Sequence, residues 1–595
     1  MAAHQNKLSR FWQELKRRRV LHVITVYASA AFVIIELIGN LTEPLNLPTS
    51  LSTIVIIVLA VGFPLAIILS WLYDLTSGTF ERTKPMEDIP EGEKARIPNA
   101  WKIATYLSFV VIAGLVVLNI ATRGDLIKPG MIKSMVILPF DNYTGDENLD
   151  YVASGMHASL IGDIGKVSAL RVIGKTSSNV FKETDKSAPD IAKELNVDMV
   201  LEPTLTCYGD TVCILVRAMA NFPEEKQIWV AEYREDKSKI LSLWNRIAKQ
   251  IAEEVKVELT PEEVSLLADA RLVDKDAYDA YLQSHMYWDD LSKEGLEKAI
   301  DYLNIAVEKD PTWAPIYSGL AKVWMSLAQM GYTSPDVAGP KIFENIQKAM
   351  GLDPNLSDLH FTVALIASLT EWDWEKAEKE FLQTLAINPN DALSRIFYAH
   401  LLMFLQRNDE ALSQAKRAVE LDPLNSNILA LNAALLGFTG DYQASLQQME
   451  KALEIDPGNL FVYSNLDIMA FNCGEYDKAI EYALFFMPFE DAIKKNIQEE
   501  YDEHGVKNAF ELILNELENL NQEGLFALTT LDMSVRYVMV GNYNKAVDWI
   551  ERGYEIHDPN QPYINTDLVM VDEIATDPRI IDIIEKMNLP LPKTN

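Results

Sequence analysis

Few strings in this chain combine the residue types that chemistry uses. Gly174-Lys175-Thr176 follows a short apolar run and imitates the end of a phosphate-binding loop. Such a loop needs another glycine five residues earlier, so that backbone N–H groups wrap the phosphates. Position 169 is Ala169, and 170–173 read as strand, so the string is expected to be a strand leading into a turn. The histidines are scattered. No two share a metal-ligand spacing on an expected helix, and no cysteine pair lies beside them, which argues against zinc. Cys207 and Cys213 flank Tyr208-Gly209-Asp210-Thr211, a hairpin turn. A two-residue Gly-Asp turn pairs Cys207 with Val212 and sends the thiols to opposite faces. A three-residue turn sets the thiols opposite one another, within reach of a disulfide. No catalytic motif is visible, and no cofactor or metal is expected.

Whatever binding the chain does must therefore come from its elements. Residues 131–260 read as an α+β domain with a mixed sheet of about five strands: Met135–Leu138, Leu170–Ile173, Met199–Thr206, Val212–Ala220 and Gln227–Tyr233. Alternation is clearest at Val212, Ile214 and Val216, expected inward. Helices are expected at Leu149–Ile164, Ala188–Leu195 and Ser238–Val257.

Further on, residue types recur every 34 positions. Small residues fall at Ala377, Ala411, Ser445 and Ala479, and another series at Thr384, Ala418 and Ala452. Units end at Asn388-Pro389, Asp422-Pro423 and Asp456-Pro457, where proline restricts the preceding residue and stops a helix. Gly440 and Gly474 make turns inside units. A 34-residue period is that of the tetratricopeptide helix–turn–helix, so 276–488 is expected to be an all-α solenoid. Its second unit is longer, with an insertion near 331–340. Residues 489–525 break the period, and 526–595 hold a further unit and a cap. Counting from the prolines, the first helices would turn Leu359, Ile366, Leu393, Ile396, His400, Met403, Ala430, Ala434, Phe461, Ile468 and Phe471 into the groove. This apolar stripe suits an apolar helix or extended segment of a protein partner. The alternatives are ordinary interior, or a groove covered by 489–525.

Apolar runs at about 20–40, 51–73 and 103–121 each approach the length that crosses a bilayer. They predict a three-span membrane module over 1–121, with Glu36 inside the first span. The tail before the first run is basic, the loop 41–50 has no Lys or Arg, and 74–102 carries Arg82, Lys84, Lys94, Arg96 and Lys102. That pattern predicts a bacterial inner-membrane protein with a cytoplasmic N-terminus and a large periplasmic C-terminal part. The first 121 residues hold 11 Lys/Arg against 9 Asp/Glu, so of the chain's formal charge of −33 the rest carries −35. Such acidity repels phosphate backbones and argues against nucleic acid as a partner.

The string VILPFDNYTGDENLDYVASGMHASLIGDI (136–164) resembles the opening of the TolB-like, or FlgO-like, domain. LRVIGKTSSNVFK (170–182), IAKELNVDMVLEPTL (191–205) and IWVAEYREDKSKILSLWNRIAKQIAEEV (228–255) extend the resemblance. Glu202-Pro203 departs from it, standing where that family usually has Glu-Gly. FWQELKRRRVLHVITVYASAAFVI (11–34) and WLYDLTSGTFERT (71–83) resemble the membrane module that often precedes the domain, and 571–592 resembles the usual end of its repeat proteins. In that family the domain commonly precedes tetratricopeptide repeats. It also occurs joined to class III adenylate cyclase domains or winged-helix regulators, and no shared catalytic residues carry over. The resemblance implies a membrane-anchored, non-enzymatic interaction scaffold or sensor of the bacterial envelope. The alternative is a regulatory component, cyclase- or transcription-linked, acting on a separate enzyme.

Overall fold

A computed structural model describes residues 131–591 except 221–225, 269, 289–291, 330–331 and 523–527, together with 15, 20–42, 59, 62–64, 67, 73–76 and 79–82. The chain divides into two compact units, Met1–Leu126 and Ile127–Asn595.

In the first unit, α1 (Val20–Thr42) is followed by β1 (Tyr73–Thr76) and β2 (Thr79–Arg82), which pair as an antiparallel hairpin. The Tyr27 hydroxyl donates to the Leu59 carbonyl at 2.8 Å. The expected three-span module is corrected here: among the described residues no helix is long and apolar enough to cross a membrane. Tyr73, expected to close the second span, opens a β-hairpin instead. The inner-membrane location, the transmembrane topology and the periplasmic placement rested on those spans and are corrected with them. Most of 51–73 and all of 103–121 lie outside the described residues, as does the Glu36 side chain.

The second unit opens with the expected mixed sheet. Its elements are β3 (Ser134–Ile137), β4 (Asp141–Asn142), α2 (Asp150–Gly165), β5 (Arg171–Val172), α3 (Lys175–Asn179), α4 (Ala188–Leu195), β6 (Met199–Cys207), β7 (Thr211–Ala220), β8 (Lys226–Asp236) and α5 (Ile240–Glu254). Strand order is β5-β3-β6-β7-β8, with β4 also on β6. The β3–β5, β3–β6 and β4–β6 pairs are parallel, and β6–β7–β8 is antiparallel. Alternation splits the side chains between two faces. Val212, Ile214 and Val216 join Leu243, Trp244, Ile247 and Ile251 of α5 on one face. Val136 and Val200 meet Ile191 and Leu195 of α4 on the other.

Helical pairs follow a short α6 (Pro261–Leu266): α7 (Lys275–Trp288) with α8 (Lys293–Lys309), α9 (Ala314–Gln329) with α10 (Pro335–Leu352), α11 (Ser357–Ile366) with α12 (Trp374–Ile387), α13 (Ala392–Phe404) with α14 (Asn408–Leu421), α15 (Ser426–Phe438) with α16 (Tyr442–Ile455), and α17 (Leu460–Asn472) with α18 (Tyr476–Phe486). The long second unit puts Pro340 inside α10. The irregular stretch is itself a helical pair, α19 (Asp491–His504) and α20 (Val506–Gln522), before α21 (Thr530–Val540) and α22 (Tyr543–Glu555). Short α23 (Asp572–Ala575) and α24 (Pro578–Lys586) end the chain.

The repeat residues explain these pairs. Asp373, Asp391, Asn425, Asp441 and Asn459 each cap the next helix by accepting from an N–H of its first turn. Ala377, Ala411, Ser445 and Ala479 are fully buried, so the paired helices sit close. Ser445 keeps a hydroxyl there because Oγ donates to the Ala433 carbonyl at 2.7 Å. Gly440 has φ +89°, a left-handed turn that glycine adopts without a Cβ clash.

Candidate functional site

Ile396, His400, Met403, Ala430, Ala434 and Ile468 come together along α13, α15 and α17, and all are buried. Leu359 is buried as well, and Ile366 is half-buried. Leu393 and Phe461 stand on the first turns of α13 and α17, each 43% exposed. Phe471 packs edge-on against Phe510 of α20, ring centroids 5.5 Å apart.

What fills the groove is the chain's own C-terminal segment. Tyr563 lies edge-on to Phe404 at 4.7 Å and tilted against Phe438 at 5.1 Å. His400 Nε2 faces the Leu431 carbonyl at 3.0 Å, an acceptor only, so Nε2 carries the proton. His400 Nδ1 then accepts from the Tyr563 hydroxyl at 2.7 Å. Asn565 Nδ2 donates to the Phe404 carbonyl at 3.1 Å, and Gln406 Nε2 donates to the Asn565 carbonyl at 2.7 Å. Further along, the Trp374 indole donates to the Met587 carbonyl at 2.8 Å. Sequence reasoning placed the possible cover at 489–525. That stretch reaches Phe471, while 561–571 covers His400. The segment has no helical period to reveal it. Its only signal is a polar, aromatic string, Asn560-Gln561-Pro562-Tyr563, in a tail otherwise read as a cap.

Gly174-Lys175-Thr176 makes an internal joint. β5 leads into a turn at Gly174 and then the short α3. The Asp422 carboxylate, from the Asp-Pro step closing α14, accepts from the Ser177 N–H at 2.8 Å and the Ser177 hydroxyl at 2.5 Å. The Gly174 N–H donates to the Leu421 carbonyl at 2.8 Å, and the Leu424 N–H to Ser177 Oγ at 2.8 Å. Burial pushes the Asp422 carboxyl above its ordinary value, opposed by its Ser177 and Asn425 bonds. Asn390 joins the previous unit in the same way, donating to the Gly165 carbonyl at 2.9 Å and accepting from the Val172 N–H at 3.1 Å. A cleft of about 570 Å³ lies beside the joint, lined by Arg171, Leu195, Leu412, Lys416, Val419 and Leu436 among others.

Cys207 and Cys213 are bonded, with Cα atoms 4.8 Å apart. A bulge between Leu205 and Cys207 shifts the register, so that Cys207 pairs with Cys213. The bridge closes a loop with a sequence separation of only 6. Its reduction is therefore expected to cost about 2 kcal/mol, read as a drop in urea midpoint with dithiothreitol.

His157, His285 and His400 are each held near 4, chiefly by burial. An unfolded imidazole titrates at about 6.5. Between those values the unfolded chain binds protons that the folded chain refuses. Stability is thus fully present above about pH 6.5 and is lost as pH falls toward 4. From pH 7 to 5 each imidazole is expected to remove about 2 kcal/mol, and chemical unfolding at the two pH values checks this. His400→Gln should flatten the pH dependence by one such share. Among the described residues no group of three or more metal-binding side chains occurs.

Comparison with known proteins bears on the repeats. The tetratricopeptide repeat family matches residues 433–459, from the second half of α15 through α16. A protein of Rhizobium meliloti (strain 1021) named "Putative adenylate cyclase 3" is 26% identical over 244 residues. That match covers 40% of this chain and 40% of the relative. A tetratricopeptide protein of Thermus thermophilus is similar at 16% identity, covering 32% of this chain and 98% of its own, with a TM-score of 0.28. The type IV pilus biogenesis factor PilW is similar at 12% identity, covering 37% and 98%, with a TM-score of 0.31.

Proposed function

We propose that this chain is a non-enzymatic protein-interaction scaffold, engaging a protein partner through its repeat stack. Tetratricopeptide proteins are protein-interaction scaffolds, and the helical pairs here stack in that manner. The observation that carries the reading is the pair of open apolar side chains, Leu393 and Phe461, on equivalent first turns two units apart. Leu460 beside Phe461 is more exposed still. Buried Ile396, Met403, Ala430, Ala434 and Ile468 form the floor beneath, and His400 holds the resident segment. On this reading residues 131–260 are a TolB-like module that the Asp422 and Asn390 joints fix against the repeats.

A second reading draws on the relative named as a cyclase: the chain regulates a separate signalling enzyme. The match is partial, so the cyclase name supports the context of signalling and no activity of this chain. Leu393→Asp with Phe461→Asp tests the first reading. Partner cross-linking is expected to disappear with an unchanged circular dichroism spectrum. Nucleotide turnover by the purified chain would defeat the scaffold reading.

A further inference from the structure

We propose that residues 561–569 are an intramolecular peptide ligand of the repeat groove. The groove over α13 and α15 is then a peptide site reading an aromatic hydroxyl and, two residues on, a carboxamide. This deepens the scaffold reading and rests on it, because it names the partner's chemistry and the contact that withholds the site.

The acceptors that the segment uses repeat with the stack. Phe404 and Phe438 occupy equivalent positions at the ends of α13 and α15. Carbonyls in a helix's last turn lack partners within the helix. Asn565 Nδ2 satisfies the Phe404 carbonyl, and the Asp567 N–H satisfies the Phe438 carbonyl at 3.1 Å. The segment therefore steps one repeat in two residues, reading a periodic row of backbone acceptors with one side-chain amide and one backbone N–H. Gln406 closes on it from the groove side, donating to the Asn565 carbonyl.

The ring contacts add selectivity. The Tyr563 ring stands near-perpendicular to Phe404 and tilted against Phe438, and its hydroxyl reaches a histidine whose other nitrogen is already committed. A phenylalanine would leave His400 Nδ1 buried without a donor, which costs free energy. Gln561–Ile564 forms a single 3-10 turn that carries Tyr563, and the rest of the run is bend and turn backbone, so recognition uses a turn conformation and no α-helix face. A partner with the same chemistry, an exposed segment presenting Tyr-x-Asn from such a turn, would compete for the site.

The experiment uses the full chain with Tyr563→Ala and Asn565→Ala together, and a fluorescent synthetic peptide of residues 558–571 as probe. Anisotropy should show saturable binding to the variant and none to the wild type. Binding should fall at least tenfold when both probe residues are alanine. A folded variant that does not distinguish the two peptides would overturn the proposal. If the variant does not fold, hydrogen exchange on the wild-type chain decides. Amides of 561–571 should exchange as a unit, faster than the interiors of α13 and α15, and exchange at the same rate would overturn the proposal. Loss of cross-linking at Phe461 with peptide binding intact would sink the scaffold reading of that rim alone. The reverse would sink only the peptide site.

Discussion

Asp467→Ala is expected to cost about 3–5 kcal/mol, far more than the deletion of a small side chain from a helix. Asp467 and Arg536 are buried almost completely. Arg536 Nε donates to one carboxylate oxygen at 2.9 Å and Nη2 to the other at 2.8 Å. Two further donors reach the Ser464 carbonyl at 2.9 Å and the Asp532 carbonyl at 3.1 Å. Every charge is matched, so removing the carboxylate strands a guanidinium in the interior. The equivalent positions of the two preceding units are Ala399 and Ala433, both fully buried. The carboxylate at 467 accepts the arginine of α21, which packs on α17 after the irregular pair α19–α20. Asp467→Ala with Arg536→Met should recover most of the loss, because paired removal leaves no buried charge. Urea unfolding of the two variants measures both; equal losses would mean that packing, not charge, sets the cost.

Gly174→Ala is expected to open the joint between the sheet and the stack at a cost of about 2–4 kcal/mol. A Cβ at Gly174 would come 2.6 Å from the Asp422 carboxyl carbon. That carboxylate cannot withdraw cheaply, since it also holds the Ser177 N–H, the Ser177 hydroxyl and Asn425 Nδ2. The core beneath the sheet continues into α7, α8 and α9, so the packing there is expected to hold and circular dichroism to stay nearly unchanged. Amides at 174–178 and 421–425 should lose protection from exchange, and unaltered protection would show that the joint has slack.

The two joints mark where sequence reasoning reached its limit. The 34-residue period made the helical pairs legible, because Ala377, Ala411, Ser445 and Ala479 and the Asp-Pro steps act within one unit. Alternation made β7 legible through Val212, Ile214 and Val216. Two-residue β4 lies below what alternation can reveal. Gly174-Lys175-Thr176 was legible as a non-phosphate turn but not as a joint, since Asp422 lies 245 residues from Ser177. Arg536 and Asp467, 69 apart, carry no periodic mark of their pairing. The groove stripe was legible as apolar. That 561–569 would fill it was not, because an irregular segment announces neither a face nor a partner. Three apolar runs suggest spans by length and hydropathy, and among the described residues no helix meets both conditions.

The most direct test of the scaffold account is a photo-reactive side chain at position 461 of the full chain, activated in cells that produce it. The account predicts one discrete protein adduct that Leu393→Asp abolishes while the chain stays folded. An absence of any adduct from position 461, or an adduct indifferent to Leu393→Asp, would contradict it.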